Sequence, residues 1–168
     1  VTKLTPTFYP TFLNRNREHN LTKYRQKRNF DKALEPKGEI TLGEDKIYVI
    51  QKHAATRLHY DLRLEIDGVL KSWAVPKEPP TTSGVRRLAV RVEDHPIEYA
   101  EFEGTIPEGE YGAGTVEIWD KGAYQLLERK ENKLIIKING EKIKGVYVLL
   151  KFKNDKNWLF FKKKENKI

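Results

Sequence analysis

The run Gln51-Lys52-His53-Ala54-Ala55-Thr56-Arg57-Leu58-His59-Tyr60-Asp61-Leu62-Arg63-Leu64-Glu65 carries two of the chain's four histidines. From His59 onward the residue types alternate. As a strand, the stretch sends His59, Asp61, Arg63 and Glu65 to one side and Tyr60, Leu62 and Leu64 to the other. Imidazole and carboxylate are ligands for a divalent transition metal, and two of them in alternation on one strand reach one ion. Arg63, one step further, carries a planar fork that matches phosphate oxygens. His53, across a short loop, is a candidate third ligand. A solvated polar face that happens to hold a histidine would look the same, and H-x-D is too short a pattern to separate the two.

A second strand of this kind is expected at residues 86–95. Leu88, Val90 and Val92 fall on one face; Arg87, Ala89, Arg91, Glu93 and His95 fall on the other. Further strands are read at 47–52, 59–65 and 69–75, with Asp67-Gly68 as a hairpin turn and Trp73 as a core anchor. After a loop at 76–84 and the strand at 86–95, residues 102–114 hold a glycine-rich connection. No Gly-Lys-Ser/Thr follows it and a strand rather than a helix comes next, which argues against a phosphate-binding P-loop. Its expected use is to bring backbone close to the site. Strands then follow at 115–119, 124–129, 134–138, 146–152 and 158–162. Their turns are read at Lys121-Gly122, Glu131-Asn132, Asn139-Gly140 and Asn154-Asp155. Short strands at regular spacing predict a mainly β fold, a compact antiparallel β-barrel with short helical elements and an N-terminal arm. Tyr111 and Trp119 are read as packing residues, and His19 as surface.

The chain has 168 residues, enough for one domain with a real core. Lys plus Arg number 32 against 24 Asp plus Glu, a net charge of +8 that favours polyanionic partners, nucleic acid first. With no cysteine, disulfides, thiolate nucleophiles and thiolate metal sites are excluded, so a metal must rest on His and carboxylate. No apolar run reaches membrane-spanning length and no signal-peptide core is present, so a cytoplasmic protein without membrane contact is expected. Val1 in place of Met points to a processed or trimmed start.

With both polar strands in view, the chain resembles a known family. The blocks are Gln51-Lys52-His53, Arg57 through Glu65, Leu70-Lys71-Ser72-Trp73-Ala74-Val75-Pro76-Lys77, Val92-Glu93-Asp94-His95-Pro96, and Glu103 through Val116. They are similar to the phosphoesterase domain of bacterial ligase D, the end-joining DNA ligase with appended repair modules. The match runs from about residue 28 to 162. It divides the chain into a basic arm (1–27), a phosphoesterase β-barrel domain (28–163) and a charged tail (164–168).

The resemblance implies a metal-dependent 3′-phosphoesterase, usually served by manganese (Mn2+), with other divalent transition metals as alternatives. Such a domain heals nucleic-acid 3′ ends. It removes a terminal ribonucleoside to leave a 3′-phosphate, then converts that phosphate to a 3′-hydroxyl. His53, His59 and Asp61 are implied as metal ligands. Arg63, His95 and Tyr99 are implied around the scissile phosphate, with Lys77, Arg87 and Glu93 as nearby support and Arg28 and Glu35 reaching in from the N-terminal segment. The implied partners are nucleic-acid 3′ ends, as primer-template DNA or DNA with a terminal ribonucleotide, and, through end joining, a DNA ligase and a polymerase. One position departs from the family: Asn29 stands where an acidic residue often follows the arginine matched by Arg28, so the nucleoside-removal step is expected to be weak or absent. The chain is expected to be a free-standing member or an excised domain. Two other readings remain open from the residues alone. One is a non-catalytic nucleic-acid-binding barrel; the other is a hydrolase of a small phosphorylated molecule, with the barrel mouth as pocket.

Overall fold

A computed structural model describes residues 44–165. Its elements are β1 (Asp45–Ala54), β2 (Leu58–Ile66), β3 (Val69–Val75), β4 (Arg86–His95), a 3-10 helix (Ile97–Glu101), β5 (Gly104–Ile106), β6 (Gly114–Lys130), β7 (Lys133–Asn139), β8 (Lys144–Lys151) and β9 (Asn157–Lys162). Eight strands close a ring in the order β1-β2-β3-β4-β9-β8-β7-β6, with β6 pairing back onto β1. All these pairings are antiparallel, and β5 adds only to the start of β6. The mainly β antiparallel barrel expected from the strand spacing is therefore present, and the helical content among the described residues is the 3-10 helix. The basic arm, with Arg28, Asn29 and Glu35, lies outside the described residues. No helix among the described residues is long and apolar enough to cross a membrane.

The alternation read from β2 sorts its side chains as expected. Tyr60, Leu62, Leu64 and Ile66 enter the main core with Tyr48, Ile50, Trp73, Leu149 and Phe160. Trp73 is 2% exposed and packs edge-on to Trp158, with ring centroids 5.7 Å apart. The opposite face of β2 is not wet. A second apolar cluster sits on the outside of the barrel wall, where Val49, Leu70 and Val116 meet Tyr99, Ala100, Phe102 and Ile106 from the segment after β4. Residues 96–114 thus lie over the outer face of β1, β2 and β3, where Asp61 and Arg63 of the polar row are buried and His59 and Glu65 half-buried.

The β2–β3 turn follows from its dipeptide. Asp67 (φ 58°) and Gly68 (φ 77°) both adopt the left-handed region, as a tight hairpin requires. Arg129 of β6 donates to Asp67 through Nη1 (3.1 Å) and Nη2 (2.9 Å). Burial pushes the Asp67 carboxyl up, but the Arg129 bonds and charge outweigh that and hold it below its ordinary value. Asp67→Asn tolerates the same backbone and removes the charge. It is expected to cost roughly 0.5–1 kcal/mol at neutral pH, a discounted figure for a partly exposed pair. A lowered carboxylate contributes its stability above the ordinary value of ~3.9, and the contribution fades as pH falls through the folded-state value. Urea unfolding of both proteins from pH 7 to pH 2 should therefore show the difference shrinking only in acid.

Two expectations are corrected. Residues 115–119 and 124–129 form one strand, β6, rather than two. Lys121-Gly122 is not a turn: Lys121 pairs with Val49 and Gly122 with Tyr48 of β1. Gly122 is glycine because a Cβ there would lie 2.2 Å from the Asn139 carbonyl oxygen, so the residue marks a close backbone approach. The even alternation expected along β4 also fails. Leu70 pairs with His95 but Ser72 pairs with Val92, so β4 carries an extra residue between them. Ala89 stays in the barrel core, whereas Glu93 and His95 turn outward with Val92.

Candidate active site

His53 comes from the end of β1, and His59 and Asp61 from the start of β2; His53 and His59 are cross-strand partners. The Asp61 Oδ2 lies 3.6 Å from His53 Nδ1 and 3.4 Å from His59 Nε2. One ligand atom from each of the three lies within 4.8 Å of the other two. The remaining ring nitrogens are already used. His53 Nε2 is 2.8 Å from the Gly112 carbonyl and His59 Nδ1 is 2.9 Å from the Arg57 carbonyl. A carbonyl only accepts, so each of these nitrogens carries the proton. The lone pairs of His53 Nδ1 and His59 Nε2 then face a carboxylate oxygen. Two lone pairs and an anion pointed at one another favour a cation between them, and histidines tied at the outer nitrogen are the usual way to orient metal ligands. A cation at about 2.1 Å from each ligand sets neighbouring ligands about 3.4 Å apart in a tetrahedral arrangement, which the distances from Asp61 to His53 and to His59 match.

Arg63 continues the row behind Asp61 and is 4% exposed. Burial excludes the solvated-face reading for Asp61 and Arg63 alike. Arg63 Nε donates to Gln51 Oε1 (2.7 Å), Nη1 donates to Ser72 Oγ (2.9 Å), and Nη2 lies 3.5 Å from Asp61 Oδ2. Gln51 is held the other way round by donating from Nε2 to the carbonyls of Tyr99 (2.7 Å) and Phe102 (3.1 Å). Burial pushes the Asp61 carboxyl up, but the Arg63 guanidinium, with His53 and His59, outweighs it and keeps Asp61 ionised well below the usual range. Without a cation, protonated His59 would donate from Nε2 to Asp61, and that bond raises His59 above its ordinary value against the opposing effect of burial.

His95 ends β4, 3% exposed, with Nδ1 3.0 Å from the Glu93 carbonyl. That bond places the proton on Nδ1 and makes Nε2 the basic nitrogen. Tyr99 of the 3-10 helix packs edge-on to His95 at 4.8 Å, and the Arg63 guanidinium stands 4.9 Å from the same ring. Glu93 takes the Tyr111 hydroxyl at 3.1 and 3.2 Å. A cavity of about 220 Å³ is walled by His53, His59, Asp61, Arg63, Glu93, His95 and Tyr99, closed by Ile106, Tyr111 and Gly112 from the covering segment.

The structure thus gathers seven of the residues singled out in the sequence around one cavity. Lys77 and Arg87 are not among its walls. Lys77 is exposed, and Arg87, paired with core residue Phe160, donates from Nε to the Glu78 carbonyl at 2.8 Å. The glycine-rich connection does bring backbone to the site, through Gly112 (φ +80°) and His53. Three residues were missed. Gln51 and Ser72 orient Arg63, and nothing along their own strands marks them, because they meet it only through cross-strand pairing. Tyr111 is half exposed at the cavity instead of packed inside, while Trp119 does pack against the core.

Residues 51–151 match the family model described as the DNA Ligase D 3′-phosphoesterase domain. The chain is 48% identical over 160 residues to the multifunctional non-homologous end joining protein LigD of Mycolicibacterium smegmatis, covering 88% of this chain and 21% of that protein. It is 46% identical over 153 residues to the corresponding DNA repair protein of Mycobacterium tuberculosis, covering 88% and 20%. Against the Pseudomonas aeruginosa protein it is 48% identical over 139 residues, covering 78% and 16%. The chain spans about a fifth of the length of the first two relatives.

Proposed function

We propose, since this chain belongs to the DNA ligase D 3′-phosphoesterase domain family, that it is a manganese-dependent hydrolase that converts nucleic-acid 3′-phosphates to 3′-hydroxyls during end joining. The observation that carries the reading is that a cation-directed trio and phosphate-directed groups share one small cavity. At about 220 Å³ the cavity is below the ~300–1,000 Å³ typical of small-ligand clefts, which suits an enclosed phosphate with the nucleoside outside. This favours a polymer end over a small phosphorylated metabolite.

His53, His59 and Asp61 would hold a divalent cation, and its chemistry there would be Lewis acidity toward a phosphate oxygen. Arg63, fixed by Gln51 and Ser72, turns its Nη2 edge toward the carboxylate end of the cavity and offsets charge on nonbridging oxygens. His95 Nε2, in the ring orientation set by the Glu93 carbonyl, donates when protonated to a phosphate oxygen or to the leaving oxygen. Tyr99 braces the Arg63 guanidinium and the His95 ring and offers its hydroxyl to the phosphate. A DNA ligase of end joining is the partner that the relatives' names suggest, and a polymerase is the further partner that the sequence resemblance implies.

The test is a time course with manganese on two primers, one ending in a 3′-phosphate and one in a single 3′-ribonucleotide. Conversion of the first to a 3′-hydroxyl is expected, with slow or no trimming of the second because Asn29 replaces a carboxylate. A persistent 3′-phosphate, with His59→Ala indistinguishable from wild type, would refute the assignment.

A further inference from the structure

We propose that Asp94 is a positioning residue: it fixes the bulge in β4 that turns Glu93 and His95 out of the barrel and into the active-site cavity. The inference deepens the proposed function, and only its kinetic readout depends on that function. Between the pairs Leu70–His95 and Ser72–Val92, β3 spends one residue, Lys71, where β4 spends two, Glu93 and Asp94. Arg91 is cross-strand to Trp73, a core residue. Without the extra residue, alternation from Arg91 would send Glu93 and His95 to that same inner face.

A bulge interrupts the ladder, and the backbone groups it strands need other partners. Arg91 supplies them. Its Nη1 donates to the carbonyls of Ser72 (3.1 Å) and Val92, one on each strand beside the bulge. Its Nη2 donates to Asp94 Oδ1 at 2.6 Å, and Lys71 Nζ donates to Asp94 Oδ2 at 3.1 Å. Asp94 is 8% exposed and is not a wall of the active-site cavity. The bulged residue's own carboxylate therefore holds the guanidinium that caps the bulge, on the side of the sheet away from the chemistry.

The experiment compares wild type, Asp94→Asn, and Asp67→Asn as a control for stability loss elsewhere. Metal-free carbon–proton spectra of the histidine rings, manganese binding by calorimetry, and kinetics on a 3′-phosphate primer are recorded for each. In Asp94→Asn the His95 ring resonance is expected to shift while those of His53 and His59 stay. Its kcat is expected to fall about 10- to 100-fold, as for a group displaced by an ångström or less. Manganese Kd is expected to stay within about 2-fold, because the trio shares no partner with Asp94. The control should match wild type in all three. An unmoved His95 resonance with wild-type kcat overturns the proposal, and so does a loss of manganese affinity parallel to kcat. If Asp94→Asn does not fold, Arg91→Lys, which keeps the charge and loses the fork, takes the same readouts. If wild type itself has no phosphatase activity, the functional assignment fails and the His95 resonance still decides this inference.

Discussion

Asp61→Asn is expected to weaken divalent-cation binding by at least about 100-fold, beyond the 10- to 100-fold typical of losing a group that merely supports a ligand. The carboxylate is the only anion of the trio, and its Oδ2 is the atom on which both imidazoles and Arg63 converge. An amide is nearly the same size but offers a neutral oxygen, so shape is conserved and the charge is lost. Two further consequences follow from Asp61 being ionised at neutral pH. The Arg63 guanidinium loses its counter-charge while keeping Gln51 and Ser72, which is the costly half of breaking a buried pair, on the order of 3 kcal/mol. The phosphatase rate is expected to fall by about 10³-fold or more, because the cation's contribution to transition-state charge disappears. Calorimetry with manganese separates the two effects: a variant that is folded and binds the ion as wild type does would remove Asp61 from the ligand set. Supplementing excess manganese should restore little activity, since affinity and charge are lost together.

How far the sequence discloses such a site depends on the range of the interactions involved. Alternation from His59 to Glu65 and the Asp67-Gly68 turn are local, and both are realised in the structure. The bounds of β3 and β4 follow their apolar and breaker residues and agree with those read from sequence. What stayed hidden is set across the sheet. The burial of the polar row depends on residues 96–114 folding over it, which no property of β2 announces. The roles of Gln51 and Ser72 arise from pairing: Gln51 sits opposite Asp61, and Ser72 opposite Arg63. The reversal of faces at Glu93 depends on a bulge satisfied by Arg91, which the alternation groups with Glu93 and His95 on one polar face. The short strand β5 escaped because Gly104-Thr105-Ile106 has little apolar pattern and pairs only at one edge.

The misread glycine yields the largest expected effect on the fold. Gly122→Val should destabilise the barrel by more than about 4 kcal/mol, a range reserved for a few mechanisms, overpacking among them. At Gly122, β6 lies between β1 and β7, next to the last β6–β7 pair, Ala123 with Asn139. A Cβ would sit 2.2 Å from the Asn139 oxygen and 3.1 Å from Gly140 Cα, and both are backbone atoms that cannot rotate aside. The strands must part at the seam that closes the ring, and hydrogen bonds go with them. Domain stabilities are only ~5–15 kcal/mol, so the variant should be largely unfolded or insoluble at 37 °C. Gly122→Ala, with one carbon added, should still cost several times more than Gly109→Ala. Gly109 has open space within 4 Å and only the strain of φ +89°, worth about 1 kcal/mol. The surface-turn reading of Lys121-Gly122 predicts the reverse ranking. Urea midpoints of the two alanine variants therefore choose between a turn and a seam, and a Gly122→Ala protein as stable as Gly109→Ala would mean that the strands pass farther apart here than described.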